Sequence, residues 1–454
     1  AGLTSATTNT GLTAAQLSTN PLLIRSATNI TRIFDTTGGD FLTTNVESFY
    51  VQDEFRFNRD LQLNVGLRWD YQQIHSGKST YLKLNNFKDN LQPRLGLIWD
   101  FTGKGKGKVF VNYARFLEAP IPLATYFAVG NVSISSSAQV NRLNAPAGST
   151  VTTDFGSCCG AEPVDSDLKP QMVNEYAAGM EYETARNLVL GVRGVYRAQG
   201  TVIEDGSFDE GNTYFLFNPG ESETERVACE TAFGCFGRAR RYYRALEFTA
   251  TKRFTTNYQL IASYVYSSLI GNYEGFYRND IGQALPNLTS AFDLQSLLAN
   301  NYGRLPNDRP HQLKFDGSYR TPWELLISGS FRAQSGIPFN ALIPHAINGD
   351  NEGFAVPRGT AINPLTGRNR TPTTYNLDLG AYYPIKFGES RQLRIQVDWF
   401  NVTNAQRAIR QDETLRINSG IPGAGAIQFP NPFYGQGTIF QYPSSLRLGI
   451  KFQF

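Results

Sequence analysis

From Leu61 to Tyr71 the apolar residues Leu61, Leu63, Val65, Leu67, Trp69 and Tyr71 occupy every second position, with Gln62, Asn64, Gly66, Arg68 and Asp70 between them. A period of two makes a strand with one apolar and one polar face. The same alternation closes the chain, where Leu446, Leu448, Ile450, Phe452 and Phe454 face one way and Arg447, Gly449, Lys451 and Gln453 the other. A soluble sandwich turns its polar face outward, whereas an outer-membrane barrel turns its apolar face to lipid and its polar face to a wet lumen. Strand length and the order of the connections decide between the two.

The periodicity predicts thirteen strands: 49–57, 61–72, 91–101, 109–117, 172–183, 187–198, 242–254, 256–267, 311–320, 323–334, 375–384, 391–401 and 446–454. After 57, 101, 183, 254, 320 and 385 the turn is short, and every other connection is long. A barrel with short periplasmic turns at one rim and long extracellular loops at the other has this asymmetry. A sandwich has no physical reason for it. Strands of about ten residues also match the apolar band of a bilayer. The prolines of 335–374 bar a central strand there, and GKGKGK at 103–108 reads as a hairpin turn, because it lacks the strand-to-helix setting of a phosphate loop.

The charges follow the same parity. Arg68, Asp70, Arg94, Asp100, Arg193, Glu247, Lys314, Asp316, Arg332, Asp378, Arg394, Asp398, Arg447 and Lys451 all fall on the polar register and are expected to line the lumen. Trp69, Tyr71, Trp99, Phe101, Trp323, Tyr383 and Trp399 lie near strand ends, as interfacial girdles do. The expected fold is therefore all-β, a transmembrane antiparallel outer-membrane β-barrel. Residues 1–47 are read as an extracellular loop or partial strand and 48–454 as the C-terminal portion of the barrel. A closed bacterial barrel needs an even number of strands and no open edge. With thirteen counted, upstream strands are expected outside these residues, and the chain, which starts at Ala1, is read as part of a larger polypeptide.

Composition excludes other classes. No stretch of about 18 apolar residues occurs, so helical membrane spans are absent. A net charge of +3, dispersed in sign, does not argue for nucleic acid. His75, His311 and His345 are isolated, which leaves no zinc site. Neither HExxH nor GxSxG appears, and no enzyme chemistry is expected. No cofactor is expected either. Structural Ca²⁺ is open at NGDNEG, residues 348–353, through Asp350 and Glu352, although the stretch reads better as a Gly-rich turn. Cys158, Cys159, Cys229 and Cys235 are disulfide candidates in connecting regions; Cys229 and Cys235 are close enough for a loop staple, and three pairings remain open. Among the long loops, Tyr273, Phe276, Tyr277, Arg278 and Asp280 are the ligand candidates, with loop-packing bonds as the alternative role.

Longer motifs add a resemblance. ESFYVQDEFRFNRDLQLNVGLRWDY at 47–71, LQPRLGLIWDF at 91–101, NEYAAGMEYE at 174–183, YYRALEFTATKRF at 242–254, NYEGFYRNDIGQ at 272–283, LPNDRPHQLKFDGSYRTPW at 305–323, FRAQSGIPFNA at 331–341, VDWFNVTNAQR at 397–407 and the closing SLRLGIKFQF together resemble the barrel of TonB-dependent outer-membrane receptors, most closely the Oar-like branch. The resemblance implies a barrel of 22 strands around an N-terminal plug, of which this chain matches the last thirteen. It also implies a TonB box that engages the TonB–ExbB–ExbD complex, and in Oar-like members a carboxypeptidase-regulatory-like domain ahead of the plug. Plug, box and that domain have no match in this chain. Energised uptake of an oligopeptide, a glycan or a chelate is the implied function. A scaffold presenting surface loops to envelope partner proteins, or a passive porin, is the alternative.

Overall fold

In the computed structural model, residues 24–36, 42–76, 79–118, 132–142, 151–158, 164–185, 187–208, 214–228, 235–254, 257–278, 288–344, 353–388, 391–418 and 428–454 are described. Thirteen strands form one continuous antiparallel path in which each pairs with its neighbours in sequence order. They are β1 (Leu42–Arg56), β2 (Leu61–Ser76), β3 (Leu91–Trp99), β4 (Gly107–Leu117), β5 (Met172–Ala185), β6 (Leu188–Gln199) and β7 (Arg241–Lys252). The path continues through β8 (Tyr258–Gly271), β9 (His311–Arg320), β10 (Leu326–Gln334), β11 (Thr374–Phe387), β12 (Arg391–Phe400) and β13 (Ser445–Gln453). All thirteen predicted strands are present, and the wall is an up-and-down meander with β1 and β13 at the ends of the path.

Boundaries differ where local chemistry decides them. β1 begins at Leu42, earlier than the apolar pattern suggests, because fifteen residues of polar and apolar character alike pair with β2 from Leu42↔Ser76 to Arg56↔Gln62. The first wall strand thus takes in residues read as loop or partial strand. Trp323, expected in a strand, lies instead in the turn between β9 and β10, where the Thr321 hydroxyl donates to the Leu325 carbonyl at 3.1 Å. Ile24–Thr36 pairs with Val132–Arg142, which pairs in turn with Val151–Cys158 in a separate three-stranded sheet. After β12 the Ala408–Gln411 segment pairs with Gly437–Phe440 inside the last connection.

The short turns are built by side chains that satisfy turn amides. Between β1 and β2, Asn58 Oδ1 accepts the N–H groups of Asp60 and Leu61 at 2.8 and 2.9 Å. Between β3 and β4 the Asp100 carboxylate accepts from Thr102 and Gly105, and Gly103 and Gly105 adopt positive φ, which glycine reaches without steric cost. The Thr102 hydroxyl, followed by the turn amides, holds the Asp100 carboxyl below its usual range. The glycine- and lysine-rich stretch is thus a hairpin turn.

The wall contributes little of the molecule's core. Ile74, Leu82, Leu84, Ile203, Leu216 and Leu288 form one buried cluster, and Val202, Phe215, Phe217, Phe236, Ala239, Tyr273, Ala291 and Phe292 form another. A third joins Phe339, Ala341 and Ala361 to Leu415 and Tyr434. Apart from Ile74 at the end of β2, every one of these side chains belongs to the long connections, all of which leave the same end of the wall. By contrast Leu446, Leu448, Ile450 and Phe452 of β13 are 52–77% exposed. An apolar side left this exposed among the described residues needs an apolar surrounding.

Candidate functional site

Cross-strand register assigns the faces. Arg68 opposes Gln92, Arg94 opposes Ala114, Ala114 opposes Glu175, Glu175 opposes Arg197, and Arg193 opposes Glu247. Farther along, Lys314 opposes Arg332, Ser330 opposes Asp378, Gly380 opposes Asp398, and Asp398 opposes Arg447. Directly opposed residues share a face, so Arg68, Asp70, Arg94, Arg193, Glu247, Lys314, Asp316, Arg332, Asp378, Arg394, Asp398 and Arg447 lie on one side of the wall. Leu67, Trp69, Leu95, Leu97, Leu246, Phe315, Leu379, Trp399 and Leu448 lie on the other. Trp69 and Trp399 stand near the loop end of that apolar side, and Trp99 near the turn end.

On the charged face, opposite signs meet. Arg68 Nε is 2.8 Å from Asp70 Oδ1, Arg193 Nε 2.8 Å from Glu247 Oε2, Arg332 2.8 Å from Asp316, and Arg447 Nε 2.9 Å from Asp398 Oδ2. The Arg94 guanidinium lies over the Phe116 ring and that of Arg394 over Tyr382, at 5.3 and 5.2 Å. Asp378 accepts from Asn376 and from the Asn401 backbone, both at 2.7 Å. Most of these groups are part-exposed, where a pair contributes at most about 1 kcal/mol. Their presence reports a wet face rather than a source of stability.

Two members of this face carry no mention in the sequence reading. Glu175 and Arg197 pair across β5 and β6, and their even and odd positions within the predicted strands already carry the needed parity. They flank a hollow of about 680 Å³, lined also by Phe116, Arg193, Arg241, Tyr243 and Glu247. Cations, carboxylates and aromatic rings together suit a polar solute or a polar protein surface rather than an acyl chain.

The loop candidates separate by burial. Tyr273 is 1% exposed and takes a hydrogen bond from Gln171 Nε2 at 2.9 Å. Arg278 is wholly buried, with Nε 2.9 Å from Glu274, whose other oxygen is 2.9 Å from the equally buried Arg358. Phe354 lies between the two guanidinium groups, 5.8 and 4.8 Å away. Phe276 is half-buried and Tyr277 exposed. Asp280, Asp350, Glu352, Cys159 and Cys229 lie outside the described residues, as does the side chain of Cys158. Cys235 is disulfide-bonded, and its partner is not among the described residues. Beside β9, Asp308 accepts the Leu269 N–H at 2.7 Å and pairs with Arg304 and Arg370, tying the β8–β9 connection to the end of β8 and to the β10–β11 connection.

Within the loop layer, burial pushes the Glu204 carboxyl well above its usual range, and the neighbouring Asp205 adds to the effect. Asp205 is itself pushed up to about 6 by burial. Among the described residues no group of His, Cys, Asp and Glu is arranged to hold a metal.

The family described as TonB dependent receptor-like, beta-barrel, matches residues 2–404. The chain belongs to that TonB-dependent receptor family. The TonB-dependent transporter Oar of Myxococcus xanthus is 30% identical over 489 aligned positions, covering 94% of this chain and 43% of the relative. The chain therefore spans less than half the length of that relative. Among solved structures, the ferripyoverdine receptor of the Pseudomonas aeruginosa outer membrane superposes with a TM-score of 0.51 at 12% identity, over 91% of this chain and 39% of the receptor. The siderophore receptor PiuA of Acinetobacter baumannii does so with a TM-score of 0.51 at 12% identity, over 91% and 44%. At such identities the likeness is one of fold. Membership places the protein in the outer membrane with its long loops on the cell surface, and the family is one of transport proteins rather than catalysts.

Proposed function

We propose that the thirteen-stranded wall closes with further strands into a transmembrane barrel. The whole protein is then a TonB-dependent transporter that draws a large or scarce solute across the outer membrane. The observation that carries this reading is the division of one continuous wall into a charged, largely internally paired face and a mainly apolar face, with every long connection at one end. Closed upon itself, such a wall encloses most of its charges in water and offers lipid mainly apolar side chains. The enclosed face, with Arg68, Arg193, Glu247, Asp316, Arg332, Asp398 and Arg447, meets the solute on its way or the surface of a plug, and energy comes from the TonB–ExbB–ExbD complex. Among the loop candidates, Tyr277 and Phe276 are accessible for first contact, and Tyr273 and Arg278 hold the loops in place. Oligopeptides, glycans and chelates are the solute classes; because the solved structures of like fold include siderophore receptors, a ferric chelate is the first to try.

The test has two arms. Uptake of labelled ferric chelates, oligopeptides and glycans is compared in cells with and without TonB, and the full-length protein is held in a planar bilayer. Saturable, TonB-dependent uptake and a closed bilayer current are expected. A steady open conductance with TonB-independent passage of small solutes would replace this reading by a passive porin. A second reading, a scaffold for adhesion or envelope assembly, draws on the loop layer, which carries its own buried clusters. Undiminished uptake together with lost partner capture on loop deletion would select it.

A further inference from the structure

The outward face of β4 to β8 differs from the rest of the apolar side in carrying arginine toward the loop ends of its strands; the outward Arg391 of β12 lies at the turn end. Along one level of the register Val111, Ala178, Gly194, Leu246 and Tyr266 stand side by side. One step toward the loops come Tyr113, Tyr176, Tyr196 and Arg244, and one further step brings Arg115 beside Asn174. Small residues at Ala178 and Gly194, between larger neighbours, leave an apolar furrow of about 770 Å³. A Cβ on Gly194 would meet nothing nearer than 3.9 Å. Tyrosine rings border the furrow on its loop side, Tyr113 and Tyr176 being 4.9 Å apart and Tyr176 and Tyr196 6.1 Å.

Arg244 is exposed, lies over the Tyr196 ring at 5.8 Å and has no carboxylate partner among the described residues. Among the described residues Arg115 bonds only the neutral Asn174, at 3.2 Å. On the opposite face, Arg68, Arg193, Arg197, Arg332 and Arg447 each have a carboxylate. Arginines turned toward a bilayer without an acid of their own need an anion from outside the chain. Their height, at the loop ends of β4 and β7, is that of the outer-leaflet headgroups.

We infer that this furrow is a binding site for an anionic, phosphorylated acyl lipid of the outer leaflet. One acyl chain lies over Ala178 and Gly194 between Val111 and Leu246, and the lipid's phosphates meet Arg244 and Arg115 above the tyrosine border. Guanidinium and phosphate form charge-assisted bonds that strengthen where water is scarce. The two arginines are three strands apart, about 15 Å at the usual strand spacing, so they serve two phosphates rather than one. The inference rests on lipid meeting this face; it does not depend on what, if anything, is transported.

The test uses the full-length protein in phosphatidylcholine nanodiscs, with and without added lipid A, and counts retained lipid by native mass spectrometry after a detergent wash. Wild type should retain lipid A and not phosphatidylcholine. The double variant Arg115→Gln/Arg244→Gln should lose roughly tenfold in retention, and dephosphorylated lipid A should be retained as poorly by wild type. Gly194→Val, which fills the furrow in a strand-compatible way, should lose retention with both arginines in place. Lys252→Gln, at the turn end of β7, should retain lipid A like wild type. Heat-modifiable mobility on gels reports whether each variant is folded, independently of uptake. Equal retention by wild type, the arginine variant and Gly194→Val would overturn the inference. So would equal retention of phosphatidylcholine, or a protein dimer without lipid that Gly194→Val disperses.

Discussion

Glu274 shows how burial changes the meaning of an ion pair. Its carboxylate and the guanidinium groups of Arg278 and Arg358 are at most 2% exposed, whereas the Arg193 side chain, paired with Glu247, is 51% exposed. Removing one member of a buried set leaves charges without compensation, at a cost of about 3–5 kcal/mol, while an exposed pair is worth about 1 kcal/mol or less. Glu274→Ala should therefore destabilise the loop layer by about 3 kcal/mol, seen as faster proteolytic nicking of the loops at unchanged heat-modifiable mobility. Glu247→Ala should change both measures little. If the two variants behave alike, the loop layer is not held by this cluster. Arg278, read from sequence as a residue that either binds ligand or packs, has donors engaged by Glu274 and by Ser290 Oγ at 2.9 Å.

At the scale of elements, the wall and the loops obey different physics. In β13, Leu448 faces away from the charges and Gln396 of β12 stands among them. Leu448→Arg should cost about 2–4 kcal/mol in urea titrations of folding into lipid, and Gln396→Arg under about 1 kcal/mol; a reversed order would exchange the faces. In the loops, the hairpin of Glu204–Ser207 and Tyr214–Phe217 carries a pH dependence. The Asp205 carboxyl rises from 3.8 in the unfolded chain to about 6 in the folded one, so the folded hairpin binds the extra proton between those values. Its contribution is fully present below pH 3.8 and is lost as pH rises through about 6, and the raised Glu204 acts in the same direction. Hydrogen exchange in 204–217 should quicken across that window beyond the intrinsic rise with pH, by an amount equivalent to about 3 kcal/mol, and Asp205→Asn should flatten the excess. Stronger protection at high pH would refute it.

For the molecule as a whole, the proposed barrel makes the wall an interface between two solvents. The four tryptophans divide accordingly: Trp69, Trp99 and Trp399 stand on the apolar face, and Trp323 in a turn. In single-tryptophan variants, brominated phosphatidylcholine should quench the first three and aqueous acrylamide should quench Trp323 more strongly. Acrylamide quenching of all four to the same degree would remove lipid from the account. The short wall contacts are local hairpins and nearest-neighbour pairs, whereas the buried clusters join segments such as Ile74 and Leu288 that lie far apart in sequence. Loop order therefore depends on a wall already formed.

All thirteen wall strands were legible in the chain because a strand exposed to two media must alternate, and because side-chain direction reverses at each residue. Parity alone likewise put the named charges from Arg68 to Arg447 on one face, and it would have put Glu175 and Arg197 there. The TonB-dependent family was legible too, in long motifs rather than in any single residue. Strand ends were less so: β1 begins at Leu42 through backbone pairing that polar residues accept as readily as apolar ones. The loops were illegible for a different reason. Their order comes from partners such as Glu274 and Arg358, 84 positions apart, or Asp308 and Arg370, 62 apart, and no period links such pairs. Alternation is a local consequence of backbone geometry and could be read directly, whereas burial of Tyr273 and Arg278, the raised Glu204 and the furrow beside Arg244 exist only once distant segments meet.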